Sequence, residues 1–183
     1  MQHTKYNAFG YTLVRTQVQK DEIITDTNHE HTDNTLLITR PYNPNFKKQS
    51  YVTDSINHIW LTTSGNIKYT NLYTGAVVNW SEGYCSLDNP MPVGFWAIDH
   101  EEDSTAFCFS PRKNLEMDPV MPDVSTFKMD IGESITVNEQ KRLFLCQGQL
   151  SIEGQSVTGP TQVIISSGRT ITATTKIYGF EFN

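Results

Sequence analysis

The chain has 183 residues and a formal net charge of -6, from 20 acidic and 14 basic side chains. That length lets one large or two small domains bury a core without disulfide staples, and the charge is spread so thinly that no basic stripe exists to neutralise phosphates, which excludes nucleic acid as an expected partner. Only 37% of residues are hydrophobic while Thr, Ser, Asn and Gln are abundant, the balance of a β protein whose strands carry many outward-facing polar positions.

The chain opens on MQHTKYNAFGYTLVRTQ, which lacks a basic region followed by an apolar one. Nowhere does an apolar run approach the roughly 20 residues that span a bilayer. A cytoplasmic protein with no membrane association is the expectation. YTLVRTQV (Tyr11–Val18) is the first clear strand, and further strands in the residues before Thr35 are expected to cover a sheet edge. NHEHTD then places His29, Glu30, His31 and Asp33 close together, among Asp26, Thr27, Asn28 and Asn34, which read as an exposed loop. Next come TLLITR (Thr35–Arg40), HIWLTT (His58–Thr63), NIKYTNLY (Asn66–Tyr73), AVVNW (Ala76–Trp80), GFWAID (Gly94–Asp99) and TAFCFS (Thr105–Ser110). All are short, rich in β-branched and aromatic residues, and bounded by Gly, Pro, Asn or Asp. Between Ser110 and Ser125, three prolines and several charges carry no period, as a connection between two lobes should. Short strands resume with TFKMDI, SITV, RLFLCQG, QLSIEG, TQVIISS, RTITATT and IYGFEF. The reading is all-β, with an N-terminal domain over 1–111, a linker over 112–124 and a smaller C-terminal domain over 125–183. Cys85, Cys108 and Cys146 have no Cys-x-x-Cys spacing and read as buried free thiols. Asn79-Trp80-Ser81 matches a glycosylation sequon by chance, with no secretory signal beside it.

The two halves echo one another. IWLTTSGNIKYTNLYTGAVVNWSEG (Ile59–Gly83) and LFLCQGQLSIEGQSVTGPTQVIISSG (Leu143–Gly168) each run from an apolar triplet to a glycine (Gly65; Gly148), a strand, a Thr-Gly turn (Thr74-Gly75; Thr158-Gly159), a strand and a closing Ser-x-Gly. Three turns in matching order define an internal repeat.

This glycine-punctuated pattern resembles the cupin superfamily over roughly residues 35–111 and 125–183, so the chain is similar to a bicupin with two jelly-roll barrels. The resemblance implies a small-ligand site in a barrel mouth and, in many members, a metal. Anchoring the first cupin motif on Gly65 puts His58 in the Glu slot, Asp54 or Thr53 in the second His slot and Val52 or Tyr51 in the first. Anchoring the second motif on Pro92 and Gly94 puts Ala97 in its His slot and Glu101 in its Asn slot, one residue after His100. The second half offers Lys141, Val137 or Thr136, and Ile135 or Ser134 in the first motif, and Ile171 where the second needs His. The ligand slots lack the usual side chains, so no metal or other cofactor is expected. The alternative is a divalent transition metal in the N-terminal barrel, held by His29, His31 and His58, since a His-x-His pair on a strand faces one way.

The rings Tyr51, Trp60, Tyr69, Tyr73, Trp80 and Trp96 all fall in the expected N-terminal domain. Strand parity puts Trp60 on the face of His58 and Trp96 on the face of His100, so Tyr51, Trp60, Tyr69 and Trp96 are the ligand-binding candidates; the bland reading is that these rings fill the barrel. Three function classes stay open. A non-catalytic module binding a small ligand, carbohydrate among them, or a protein ranks first. An enzyme ranks second, either metal-dependent through His58 or a metal-free sugar isomerase or epimerase in which His58 or His100 is the base, with Asp99, Glu101 or a Tyr in support. A structural or virion assembly protein ranks last, by analogy of fold. A small molecule is the expected partner, and the sheets offer surfaces for a homodimer.

Overall fold

A computed structural model of the chain describes residues 2–20, 27–32, 35–39, 59–71, 73–89, 96–100, 102–109 and 123–183; for 27–32, 35–39, 96–98, 100 and 109 only the backbone is described. Every regular element among them is a β-strand. The fold is all-β, in two compact units that divide between Met121 and Pro122. Among the described residues no helix is long and apolar enough to cross a membrane.

The first unit contains β1 (Gln2–Ala8), β2 (Tyr11–Val18), β3 (Thr27–Thr32), β4 (Thr35–Thr39), β5 (Ile59–Ser64), β6 (Asn66–Asn71), β7 (Val77–Ser81), β8 (Trp96–His100) and β9 (Ser104–Phe109). They form an antiparallel sheet in the order β1-β2-β9-β5, a second in the order β7-β6-β8, and the hairpin β3-β4. Ala8 pairs with Tyr11, so Phe9 and Gly10 are the whole loop of the β1-β2 hairpin, both at positive φ (52° and 86°). That conformation matches the right-handed twist of the flanking strands. β2 is a central strand, so the unit begins well before residue 35, where the cupin resemblance starts. The expected loop at NHEHTD is strand β3, and its pairing register with β4 shifts between Glu30 and Thr32, which makes His31 the extra residue of a bulge. Thr27–Thr32 holds no Pro, the residue that lacks a backbone donor for the ladder.

Trp60 and Cys108, directly paired on β5 and β9, face Ile67, Tyr69 and Trp80 of the second sheet across a shared core that also holds Ala106. On the opposite side of the first sheet Leu13, Leu61 and Phe107 are also buried, so this sheet is covered on both faces.

The second unit contains β10 (Val124–Met129), β11 (Ser134–Thr136), β12 (Lys141–Gln147), β13 (Gln149–Ile152), β14 (Gln155–Thr158), β15 (Thr161–Ile165), β16 (Thr170–Ala173) and β17 (Ile177–Phe182). Its two sheets run β10-β17-β12-β15 and β11-β16-β13-β14, the eight-strand arrangement of a jelly roll. Phe127, Met129, Leu143, Leu145, Ile165 and Ile177 from one sheet meet Leu150, Ile171 and Ala173 from the other. Phe144, Tyr178, Phe180 and Phe182 are buried as well; their places in the pairing register alternate with those of the core residues, so this sheet too is covered on both faces.

The same order underlies the first unit. Its β2, β9 and β5 stand as β10, β17 and β12 do, and β8, β6 and β7 stand as β16, β13 and β14 do. The counterpart of β15 shrinks to a single bridge, Leu61 to Cys85, flanked by the bonds Thr62 N to Tyr84 O (2.9 Å) and Ser86 N to Trp60 O (3.0 Å). The repeat is therefore one of topology, and its first turn matches as read: Gly65 and Gly148 both have positive φ (75° and 100°), one after each leading strand. The later turns are one strand out of step. Thr74-Gly75 joins β6 to β7, whose counterpart joint is Glu153-Gly154, whereas Thr158-Gly159 joins β14 to β15. The sequence alignment slipped because β15 is a full strand in one unit and a bridge in the other, and glycine turns alone carry no strand identity.

Candidate functional site

Trp60 and Tyr69 are 7% and 3% exposed, inside the core of the first unit. Their rings surround Trp80, with centroids 6.1 Å (Trp60) and 4.2 Å (Tyr69) away, and Tyr84 stacks on it at 4.9 Å. Burial pushes the Tyr69 hydroxyl well above its usual range, with Cys108 and Tyr84 adding to it, and burial does the same to the Cys108 thiol. Both groups stay neutral at any ordinary pH, as members of a core should. Trp96 and His100 lie on β8, opposite Asn71 and Ile67 of β6. His29 and His31 lie on β3, described by backbone alone. Tyr51, His58 and Glu101 lie outside the described residues.

Among the described residues no three His, Cys, Asp or Glu side chains converge as a metal would need. In the second unit the donor set itself does not fit: Val137 and Ile171, in ligand slots of the resemblance, are 1% and 0% exposed within a hydrocarbon core, and hydrocarbon offers no lone pair to a divalent ion.

A cavity formed by described residues lies elsewhere in the first unit. It has a volume of about 410 Å³ and is lined by Gln2, Gln17, Val18, Gln19, Ser64, Asp103, Ser104 and Thr105. Antiparallel pairing brings these distant segments together, because Gln2 pairs with Gln17, Gln17 with Thr105, and Thr105 with Ser64. One cross-strand row thus runs over all four strands of the sheet at the end where β1 and β9 begin and β2 and β5 finish. A bulge between Thr62 and Ser64 offsets β5 against β9 at this end, and such bulges re-aim side chains at sheet rims.

The wall is fixed by two contacts of Asp103. Its Oδ1 accepts a hydrogen bond from the backbone N–H of Lys20 at 2.7 Å, tying the residues after β2 to the start of β9. Its backbone carbonyl presses against Gly65, where an added Cβ would also come 2.8 Å from Ser104 Cα. Three amides, three hydroxyls and one carboxylate offer a bound molecule both donors and acceptors. Sequence reasoning missed this cleft since its residues come from four segments, each an ordinary polar strand end. The signal available was Gly65 itself, a glycine forced by close backbone approach.

No protein-family model matches the chain, and no curated protein matches it in sequence. Among solved structures it is similar to the protein YhaK from Escherichia coli, at 11% identity and a TM-score of 0.45 over 98% of this chain and 92% of that one. It is similar to a conserved protein of unknown function from Pseudomonas aeruginosa, at 9% identity and a TM-score of 0.45 over 98% and 91%. A third is a cupin 2 conserved barrel domain protein from Leptotrichia buccalis, at 9% identity and a TM-score of 0.41 over 98% and 86%.

Proposed function

We propose that the first unit is a non-catalytic binding module for a small polar ligand, held in the cleft at the Gln2–Gln17–Thr105–Ser64 row. The observation that supports this reading is the cleft itself: about 410 Å³, with Val18 the one apolar residue among its described lining residues. The volume lies in the range of small-molecule sites, and the amide and hydroxyl lining suits a molecule with many hydrogen-bonding groups. A ligand group that displaces an ordered water without reproducing its hydrogen bonds loses affinity, which favours a polar occupant.

Saturation-transfer NMR with a panel of mono- and disaccharides, polyols and amino acids tests the proposal. Gln17→Ala and Thr105→Val should each abolish the transfer seen with the native protein while leaving its thermal unfolding in place. Transfer to no panel member, or transfer that survives both substitutions, overturns the cleft as the site.

A further inference from the structure

Resting on that reading, we infer that the cleft selects a ligand bearing a protonated amine on a hydroxylated frame, of the amino-sugar class, with Asp103 as the group that reads its charge.

The charge census comes first. Among the described lining residues Asp103 is the one ionisable side chain, and none is Lys, Arg or His. Among the described residues the donor recorded for its carboxylate is the Lys20 N–H. A single backbone amide satisfies a small share of the four or so lone-pair sites of a carboxylate. A ligand that fills the cleft strips water from the rest, which costs free energy unless the ligand supplies donors in return. An ammonium group supplies up to three donors and the opposite charge, and charge-assisted bonds are roughly twice as strong as neutral ones. An anionic ligand would meet the same carboxylate with repulsion, and no cationic side chain among the described lining residues offsets it.

The second unit shows that the fold does not require an acid there. Gly148, the counterpart of Gly65, is pressed by the carbonyl of Lys176 and then by Ile177, as Gly65 is pressed by the carbonyl of Asp103 and then by Ser104. The backbone contact repeats while the side chain reverses its charge: Lys176 Nζ lies 5.5 Å from the ring centroid of Tyr178. Topology therefore dictates a carbonyl at this joint and leaves its side chain to other uses. In the first unit the residue at this joint is an aspartate that lines the cavity.

Three pyranoses that share one ring and differ in charge test the inference: glucose, glucosamine at a pH where its amine is protonated, and glucuronate. Binding is measured by titration calorimetry at low ionic strength, where screening is weakest. The native protein should bind glucosamine about tenfold more tightly than glucose, as a charge-assisted bond implies, and glucuronate most weakly. Asp103→Asn keeps an oxygen acceptor for Lys20 N–H, so it should fold normally, while its affinity for glucosamine falls to within about twofold of its own affinity for glucose. Equal binding of all three sugars by the native protein, or an amine preference that survives Asp103→Asn, overturns the inference and leaves the cleft reading standing. Binding of none of the three also overturns the inference, while the cleft reading stands or falls by the wider saturation-transfer panel.

Discussion

Gly65 lies directly beneath the backbone carbonyl of Asp103, with Ser104 Cα 2.8 Å from where a Cβ would sit, and its φ is +75°. The same pairing recurs between Gly148, at φ +100°, and Lys176. In each unit the glycine lets the strand that enters the bulge pass close to the start of the last strand.

Gly65→Ala and Gly148→Ala should each cost roughly 3 kcal/mol or more, from left-handed strain together with backbone overlap. Gly75→Ala is the control, since Gly75 has φ +72° and nothing within 4 Å of an added Cβ, and should cost about 1–2 kcal/mol. Trp60, Trp80 and Trp96 all belong to the first unit, so tryptophan fluorescence during denaturation reads Gly65→Ala. Hydrogen exchange at Leu145 and Ile177 reads Gly148→Ala. Equal losses for Gly65→Ala and Gly75→Ala would contradict the close approach.

Trp80 is 0% exposed and touches the rings of Trp60, Tyr69 and Tyr84. Trp80→Ala should destabilise the first unit by about 3–5 kcal/mol, through lost burial and the cavity left behind. The remaining tryptophans report the shift in denaturation midpoint. A change under about 1 kcal/mol would mean that the ring cluster is not the core of that unit.

His3 Nδ1 lies 3.0 Å from Thr16 Oγ1 across the β1-β2 hairpin, and burial lowers its pKa from 6.5. Sign matters here: a histidine with a depressed folded pKa binds protons less readily in the native state than in the unfolded one. Its effect on stability is absent above about pH 6.5 and grows unfavourable as pH falls below it, until the folded pKa is passed. Denaturation midpoints of His3→Gln and the native protein should agree near pH 8 and diverge in favour of His3→Gln between about pH 6.5 and 5, above the main carboxylate titrations. A pH-independent difference would show that His3 contributes only its hydrogen bond.

Cys85, Cys108 and Cys146 are free and buried, and burial holds the Cys108 thiol well above its usual pKa. A thiol without thiolate character or access reacts slowly. Ellman's reagent should label all three within minutes in denaturant and scarcely at all in the native protein. Rapid stoichiometric labelling of the native chain would place at least one thiol at the surface.

Much of the strand pattern is legible in the sequence because period-two alternation and turn residues are local. YTLVRTQV gives β2 residue for residue, and the strands named from Thr35 to Ser110 fall within about two residues of β4 to β9 at either end, a usual uncertainty for element boundaries. β1 went unread since QHTKYNA has little apolar content, and it becomes a strand by pairing with β2 at seven positions.

The candidate site was less legible. The aromatic set left a lined pocket and a filled barrel both open, and Trp60 and Tyr69 close around Trp80; parity gives a residue's face and not what stands opposite it. Composition and periodicity by themselves determined an all-β chain with a glycine closing the leading strand of each half, since these follow from near-neighbour sterics and alternation. Only the tertiary structure decided which turns correspond between the units and which polar residues share a cleft. Both depend on strand pairing across long sequence separations, such as Gln17 with Thr105, and no local pattern encodes the partner of a strand.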